Sequence, residues 1–207
     1  DAINSGLSVI NHMGHSNENM VFGQTTGSVN NYTNTNYGFA YTQGCYPAAF
    51  DELTSSANES IGENLIIYEH GLYAFIGNTR YGWDMPGSTD GPSQYYDIAF
   101  FEAMFNDNQR QLGKSLSQSR AELVNMALGS GVMRWVHYEI VILGDPSVEV
   151  KYANGTFPYI QPVGVLYDDS LYGDNDNTPN PGEQIELFIE LENIEDWADA
   201  ENVTATI

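Results

Sequence analysis

Four short apolar runs punctuate the chain, at residues 7–11, 39–44, 72–77 and 137–143. Each is too short for an ordinary helix and is bounded by turn-forming residues, so each predicts a β-strand. Leu72-Tyr73-Ala74-Phe75-Ile76-Gly77 shows no polar alternation, the mark of a strand buried on both faces. Upstream of it, Ile61, Leu65 and Tyr68 fall at helical spacing, with Asn58 as cap and Gly71 as stop. A helix over 59–70 then joins strands 39–44 and 72–77 as a right-handed βαβ crossover with the strands parallel. Past Pro92, Tyr95, Ile98, Phe101 and Phe105 predict the buried stripe of a second helix, and Leu116, Leu123 and Met126 that of a third over 115–128.

The intervening segments lack a period. Residues 16–38, rich in Asn, Thr and Gly, predict a long polar loop between the first two strands. Residues 78–92 hold three glycines and two prolines and predict a structured loop at the carboxyl end of the third strand. From residue 158 the character changes. Residues 158–207 carry 12 acidic and no basic side chains, and Gln184 to Leu191 alternates as a half-solvated strand does. The chain therefore divides at 157/158.

Charge narrows the function. Six basic against 28 acidic residues give a net charge of −22, which repels nucleic acid and anionic membrane and removes both as partners. No run reaches the roughly 20 apolar residues of a membrane span. Four of the basic residues, Arg110, Lys114, Arg120 and Arg134, lie in the helical region and predict a solvated face. The chain begins at Asp1 with neither Met nor a signal-peptide pattern, so an upstream stretch of the same precursor is expected to precede it.

The first two strand runs each end in a reactive side chain. Strand 7–11 leads into His12-Met13-Gly14-His15-Ser16, and strand 39–44 leads into Cys45, the sole cysteine. Groups at the carboxyl ends of neighbouring parallel strands converge on one crevice. A His and a Cys there form a nucleophile and its base. The same logic brings Arg80, Trp83 and Asp84 beside that crevice. A solitary thiol can also be inert core filler, but Cys45 sits between Gly44 and Tyr46-Pro47 at a strand end, where a nucleophile belongs.

Asn11-His12-Met13-Gly14-His15, Gly44-Cys45-Tyr46-Pro47-Ala48-Ala49-Phe50-Asp51, Ser60-Ile61-Gly62-Glu63, Ala74 to Trp83 and Leu143-Gly144-Asp145-Pro146-Ser147 occur in that order across about 140 residues. This series resembles the gingipain-type cysteine peptidases, which have a caspase-like fold, and covers the later part of their catalytic domain. The resemblance implies an α/β, caspase-like parallel-sheet sandwich, here partial, over residues 1–157. It assigns His15 as base, leaves His12 in support, and makes Cys45 the nucleophile of a thioester acyl-enzyme. The backbone N–H groups of Ser16 and Cys45 are then the oxyanion donors. The family often has Gly where Ser16 stands, so a Cβ there is expected to narrow the oxyanion hole.

By the same resemblance Trp83 forms a wall of the specificity pocket, and Asp84 beside it is expected to receive a basic side chain of a protein or peptide substrate. The acid that orients the base comes from upstream in this family. Residues 1–14 offer only Asp1, so an N-terminal chain of the precursor is expected to supply it and to cover the sheet edge. Residues 158–207 resemble the opening of an immunoglobulin-like β-sandwich of secreted bacterial proteins, incomplete at two or three strands. Asp174 and Asp176, with Asp168 and Asp169 nearby, alternate oxygen ligands as calcium loops do, predicting a structural calcium and no catalytic cofactor. A secreted or cell-surface cysteine endopeptidase is the expected function. Two alternatives stand beside it: a sortase-like transpeptidase of a type nine secretion route, as some relatives are, and a non-catalytic surface or assembly module retaining the fold.

Overall fold

The computed structural model describes residues 2–51, 59–150, 160–170 and 185–193, with positions 175, 178 and 180–182. The chain forms two compact units, Asp1–Lys151 and Tyr152–Ile207. In the first unit the order is β1 (Val9–His12), β2 (Met20–Val21), β3 (Gln24–Thr25), α1 (Thr26–Val29), β4 (Gly38–Thr42), α2 (Ile61–Ile67) and β5 (Leu72–Asn78). Helices α3 (Pro92–Phe105), α4 (Leu112–Glu122), α5 (Val124–Gly129) and α6 (Gly131–Glu139) follow, then β6 (Ile140–Gly144). The second unit pairs β7 (Ile160–Asp168) with β8 (Glu186–Asn193), antiparallel.

The main sheet runs β1-β4-β5-β6. β1 pairs parallel with β4, and β4 parallel with β5, whereas β6 returns antiparallel to β5. All five residues of β4 are buried, as are six positions of β5, with only Tyr73 partly exposed, as their unbroken apolar character requires of central strands. Side chains alternate across this sheet. Ala40 and Phe75 join Ile61 and Leu65 of α2 in one core layer, with Val21, Val29 and Tyr32. Phe39 and Tyr41 face the other way, onto Phe100 of α3 at ring-centroid separations of 6.2 and 5.1 Å. Each such ring contributes about 1.5–3 kcal/mol through burial.

Several sequence expectations shift. The cap of α2 is Ser60, whose hydroxyl accepts from the Glu63 N–H while its own N–H donates to the Glu63 carboxylate at 2.7 Å; Asn58 lies outside the described residues. Residues 16–38 are more ordered than a polar loop, because Val21, Val29 and Tyr32 pin β2, β3 and α1 to the core. The third helix breaks at Leu123 into α4 and α5. His137 is helical, in α6, and the last strand starts only at Ile140. Arg120 does not lie on a solvated face: it is half-buried and donates to the Ile140 carbonyl.

The largest correction is the α3 stripe. The buried residues are Ser93, Gln94, Tyr96, Asp97, Ala99, Phe100, Ala103 and Met104, while Ile98 and Phe105 are 47% and 51% exposed. The helix is apolar on two sides, so its pattern alone did not choose which one faces the sheet. The side carrying Tyr96 and Phe100 packs against Tyr41, and the other borders β1.

Candidate active site

Parallel pairing places the ends of β1, β4 and β5 on one edge of the sheet, and the connections beyond them are tied together. The Gln43 N–H donates to the His12 carbonyl at 3.1 Å, continuing the β1–β4 ladder past its end. Asn78, closing β5, donates from Nδ2 to the carbonyls of Gln43 (3.1 Å) and Gly44 (3.0 Å). Ser16 donates from its hydroxyl to the Cys45 carbonyl at 2.8 Å. Ser93, at the start of α3, clamps Trp83 by accepting from its N–H and donating to its carbonyl, both at 2.9 Å.

Two glycines make this crowding feasible. A Cβ at Gly44 would stand 2.8 Å from Ser16 Cβ and 2.9 Å from the Gly14 carbonyl oxygen, and one at Gly82 would stand 2.8 Å from Asn78 Nδ2. Directly after Cys45, Tyr46 holds φ 62°, a left-handed backbone that costs a non-glycine residue roughly 1–2 kcal/mol. Its N–H donates to the Arg80 carbonyl at 2.7 Å, and its ring meets Tyr81 edge-on at 4.8 Å. These contacts hold the turn after Cys45 in its strained form.

The result is a cavity of about 260 Å³ lined by residues of all three strand ends, His15, Cys45, Trp83 and Asp84 among them. His15 is exposed and Cys45 half-buried. The Cys45 Sγ lies 3.8 Å from the Gly82 carbonyl oxygen. Burial pushes the thiol upward, a backbone contact at Gly82 partly offsets this, and the Glu139 and Asp84 carboxylates add to the rise. The resting site therefore favours the thiol over the thiolate. His12 supports the cysteine turn: its Nδ1 lies 2.8 Å from Thr42 Oγ1, which also accepts from the Gly44 N–H at 3.2 Å. Burial lowers its pKa, keeping it neutral.

Glu139, at the end of α6, is a buried carboxylate with neither oxygen in hydrogen-bonding geometry. Burial pushes its pKa to about 8, although the Trp135 indole and the Arg80 charge favour ionisation. The folded protein thus holds a proton that an unfolded glutamate releases near pH 4.3. Stability falls as pH rises across the interval up to about 8. Glu139→Gln is expected to raise the melting temperature by several degrees at pH 8 and little at pH 5; an equal gain at both, by calorimetry, would refute this.

Ser16 stands behind Cys45 instead of lining the cavity. Arg80 turns away, in a two-pronged pair with Asp51 at 3.0 Å for each contact. His70 caps the Asn34 carbonyl at 2.8 Å, and His137 meets the Tyr96 hydroxyl at 3.1 Å. Asp174 and Asp176 lie outside the described residues, as does Asp1. Among the described residues no side chain is hydrogen-bonded to His15. Among the lining residues that sequence reasoning missed are Gln43, Ser88, Ser93 and Gln94. The signal for Gln43 was its place two residues before Cys45, on the same strand face as Tyr41.

A profile of peptidase family C25 matches residues 1–151. The chain belongs to peptidase family C25. Among curated proteins none matches significantly. The fold is that of the family's solved structures. It resembles the Arg-specific cysteine proteinase gingipain R with a TM-score of 0.63 at 20% identity, covering 78% of this chain and 37% of that one. The complex of Porphyromonas gingivalis RgpB pro- and mature domains gives 0.61 at 19%, covering 78% and 38%. A structure described only as a protease gives 0.60 at 17%, covering 93% and 55%. This chain spans little more than a third of gingipain R, and its mixed sheet is the caspase-like core of the C25 fold.

Proposed function

We propose that the chain is the His/Cys-bearing part of a secreted or cell-surface cysteine endopeptidase. The observation that carries this reading is the shared cavity of His15 and Cys45 at the carboxyl ends of adjacent parallel strands, in a C25 chain. His15 takes the thiol proton, Sγ attacks the scissile carbonyl, and the protonated imidazole returns the proton to the departing amine. Water activated by the same imidazole then cleaves the thioester. The backbone N–H of Cys45 holds the oxyanion, Trp83 forms a wall of the substrate cleft, and Asp84 sits at its mouth. Covalent labelling tests the reading: a peptidyl electrophile should modify Cys45 faster than iodoacetamide does. Equal rates would favour a non-catalytic module with the same fold.

An N-terminal portion of the same precursor is the proposed partner. Among the described residues β1 is paired on one side only, and beside it Val9, Ile98, Phe101 and Phe105 line a groove together with Asn11, Asp97 and Glu102. An open strand edge next to exposed apolar side chains calls for cover. A strand from that portion would close the sheet and bring the acid that orients His15. Native protein should show a second stretch of the precursor retained with this chain, linked or cleaved, on denaturing electrophoresis. Full peptidase activity from residues 1–207 alone would overturn it. The antiparallel β7–β8 pair is proposed as the opening of an immunoglobulin-like sandwich.

A further inference from the structure

The turns that carry His15 and Cys45 share a fastening on α3. In the parallel register Asn11 lies opposite Tyr41, and Gln43 follows Tyr41 by two positions, so all three side chains face α3. There Asp97 Oδ2 accepts from Asn11 Nδ2 at 3.2 Å. The Gln43 side-chain amide lies against the same carboxylate. Asp97 and Gln43 are each only 7% exposed. Burial pushes the Asp97 carboxyl upward, and the Asn11 and Gln43 amides pull it back by bonding its charged form. Among the described residues no basic side chain forms an ion pair with it. A buried carboxylate without a cation is a costly way to fill space. What it offers is two acceptor oxygens on one rigid base, which suits two amide donors arriving from two different strands. One helical turn earlier, Ser93 clamps Trp83 beyond the end of β5. Helix α3 thus grips the chain at the ends of all three parallel strands.

We propose that Asp97 is a positioning residue for His15 and Cys45: by gripping Asn11 and Gln43 together, it fixes the separation of the two turns that carry base and nucleophile. This rests on the peptidase reading above and adds a residue that touches neither substrate nor reacting atoms. Asn11 directly precedes the His12–His15 turn, and Gln43 stands two positions before Cys45. The bond from the Gln43 N–H to the His12 carbonyl is the last rung of the β1–β4 ladder, so past it the two turns are free to diverge unless side chains tie them. β1 is the edge strand of the described sheet, which leaves Asp97 as its polar anchor on the α3 side. Loosening that anchor should not detach the helix, because Phe39 and Tyr41 pack on Phe100 independently of it. The reacting distance would change while the cavity wall at Trp83, held by Ser93, stays in place. Rate depends steeply on that distance, and binding of a peptide depends on the wall.

Peptidyl acyloxymethyl ketones bearing Arg, Lys, Gln or Leu next to the reactive group test the proposal on the full-length protein. The fastest of them is carried into the variants, and Cys45 labelling is followed by mass spectrometry at several probe concentrations. Asp97→Leu should lower the limiting rate of labelling about 100-fold and move the half-saturating concentration by less than about threefold. Asn11→Asp, which sets a second carboxylate against Asp97, should cause a similar loss. Asn11→Asp/Asp97→Asn exchanges acceptor and donor across the same contact, and the Gln43 amide can bond either partner. That exchange should recover at least about tenfold over Asn11→Asp alone, a rescue that general destabilisation would not give. Asn11 is exposed, so these two variants provide the reading if Asp97→Leu does not fold. A limiting rate within about threefold of the parent in Asp97→Leu and Asn11→Asp, a loss confined to half-saturation, or no recovery on exchange overturns the proposal. Failure of every peptidyl probe to outrun iodoacetamide on the parent protein is a separate result, which brings down the peptidase reading itself.

Discussion

Cys45→Ala and His15→Ala are each expected to remove peptide cleavage by the full-length protein, with losses on the order of 10⁴- to 10⁶-fold in kcat. The argument is chemical. Burial and two nearby carboxylates hold the Cys45 thiol above its ordinary range, so little thiolate exists at neutral pH without a base. Removing the base leaves a nucleophile that does not ionise, and removing the sulfur leaves a base with nothing to activate. The pair acts as a unit, and the double variant should be little worse than either single one. Both variants should melt close to the parent, since His15 is exposed and the Cys45 thiol makes only one weak hydrogen bond among the described residues, to the Gly82 carbonyl. Residual turnover in Cys45→Ala within tenfold of the parent would show that the sulfur is not the nucleophile.

Gly44→Ala has the second largest expected effect. The added methyl would press on Ser16 and on the Gly14 carbonyl, so the two turns that carry His15 and Cys45 must separate. A displacement of about 1 Å between reacting groups can cost about 100-fold in rate. The Asn78 bonds to Gln43 and Gly44 and the buried β4 strand still anchor the fold, so kcat should fall about 100-fold while the melting temperature drops by a few degrees. Ser16→Gly removes the Cβ and hydroxyl that crowd this methyl. The double variant Gly44→Ala/Ser16→Gly should therefore recover part of the lost rate, whereas Ser16→Gly alone should lose a little through the missing bond to Cys45. No recovery in the double variant would mean that Gly44 acts in another way than by close approach.

Local patterning determined the strands and the place of His15 and Cys45. Unbroken apolar runs such as 72–77 have one stable solution, a strand buried on both faces, and two such strands joined through a helix pair in parallel. Parallel strands share a carboxyl edge, so His15, Cys45, Trp83 and Asp84 were bound to lie near one another once their strands were recognised. What pattern could not determine was any choice between near-equal alternatives. Helix α3 has apolar residues on two sides, and only Tyr41 and Phe39 across the interface decided that Tyr96 and Phe100 go inward while Ile98 and Phe105 stay exposed. His137 and Glu139 read as strand until packing of Val136 and Met133 made that stretch helical. Polar residues were the least legible. Gln43, Gln94 and Glu139 are ordinary surface types by composition, and they matter here only because neighbouring elements bury them, which is a property of the packed tertiary structure and not of the residue.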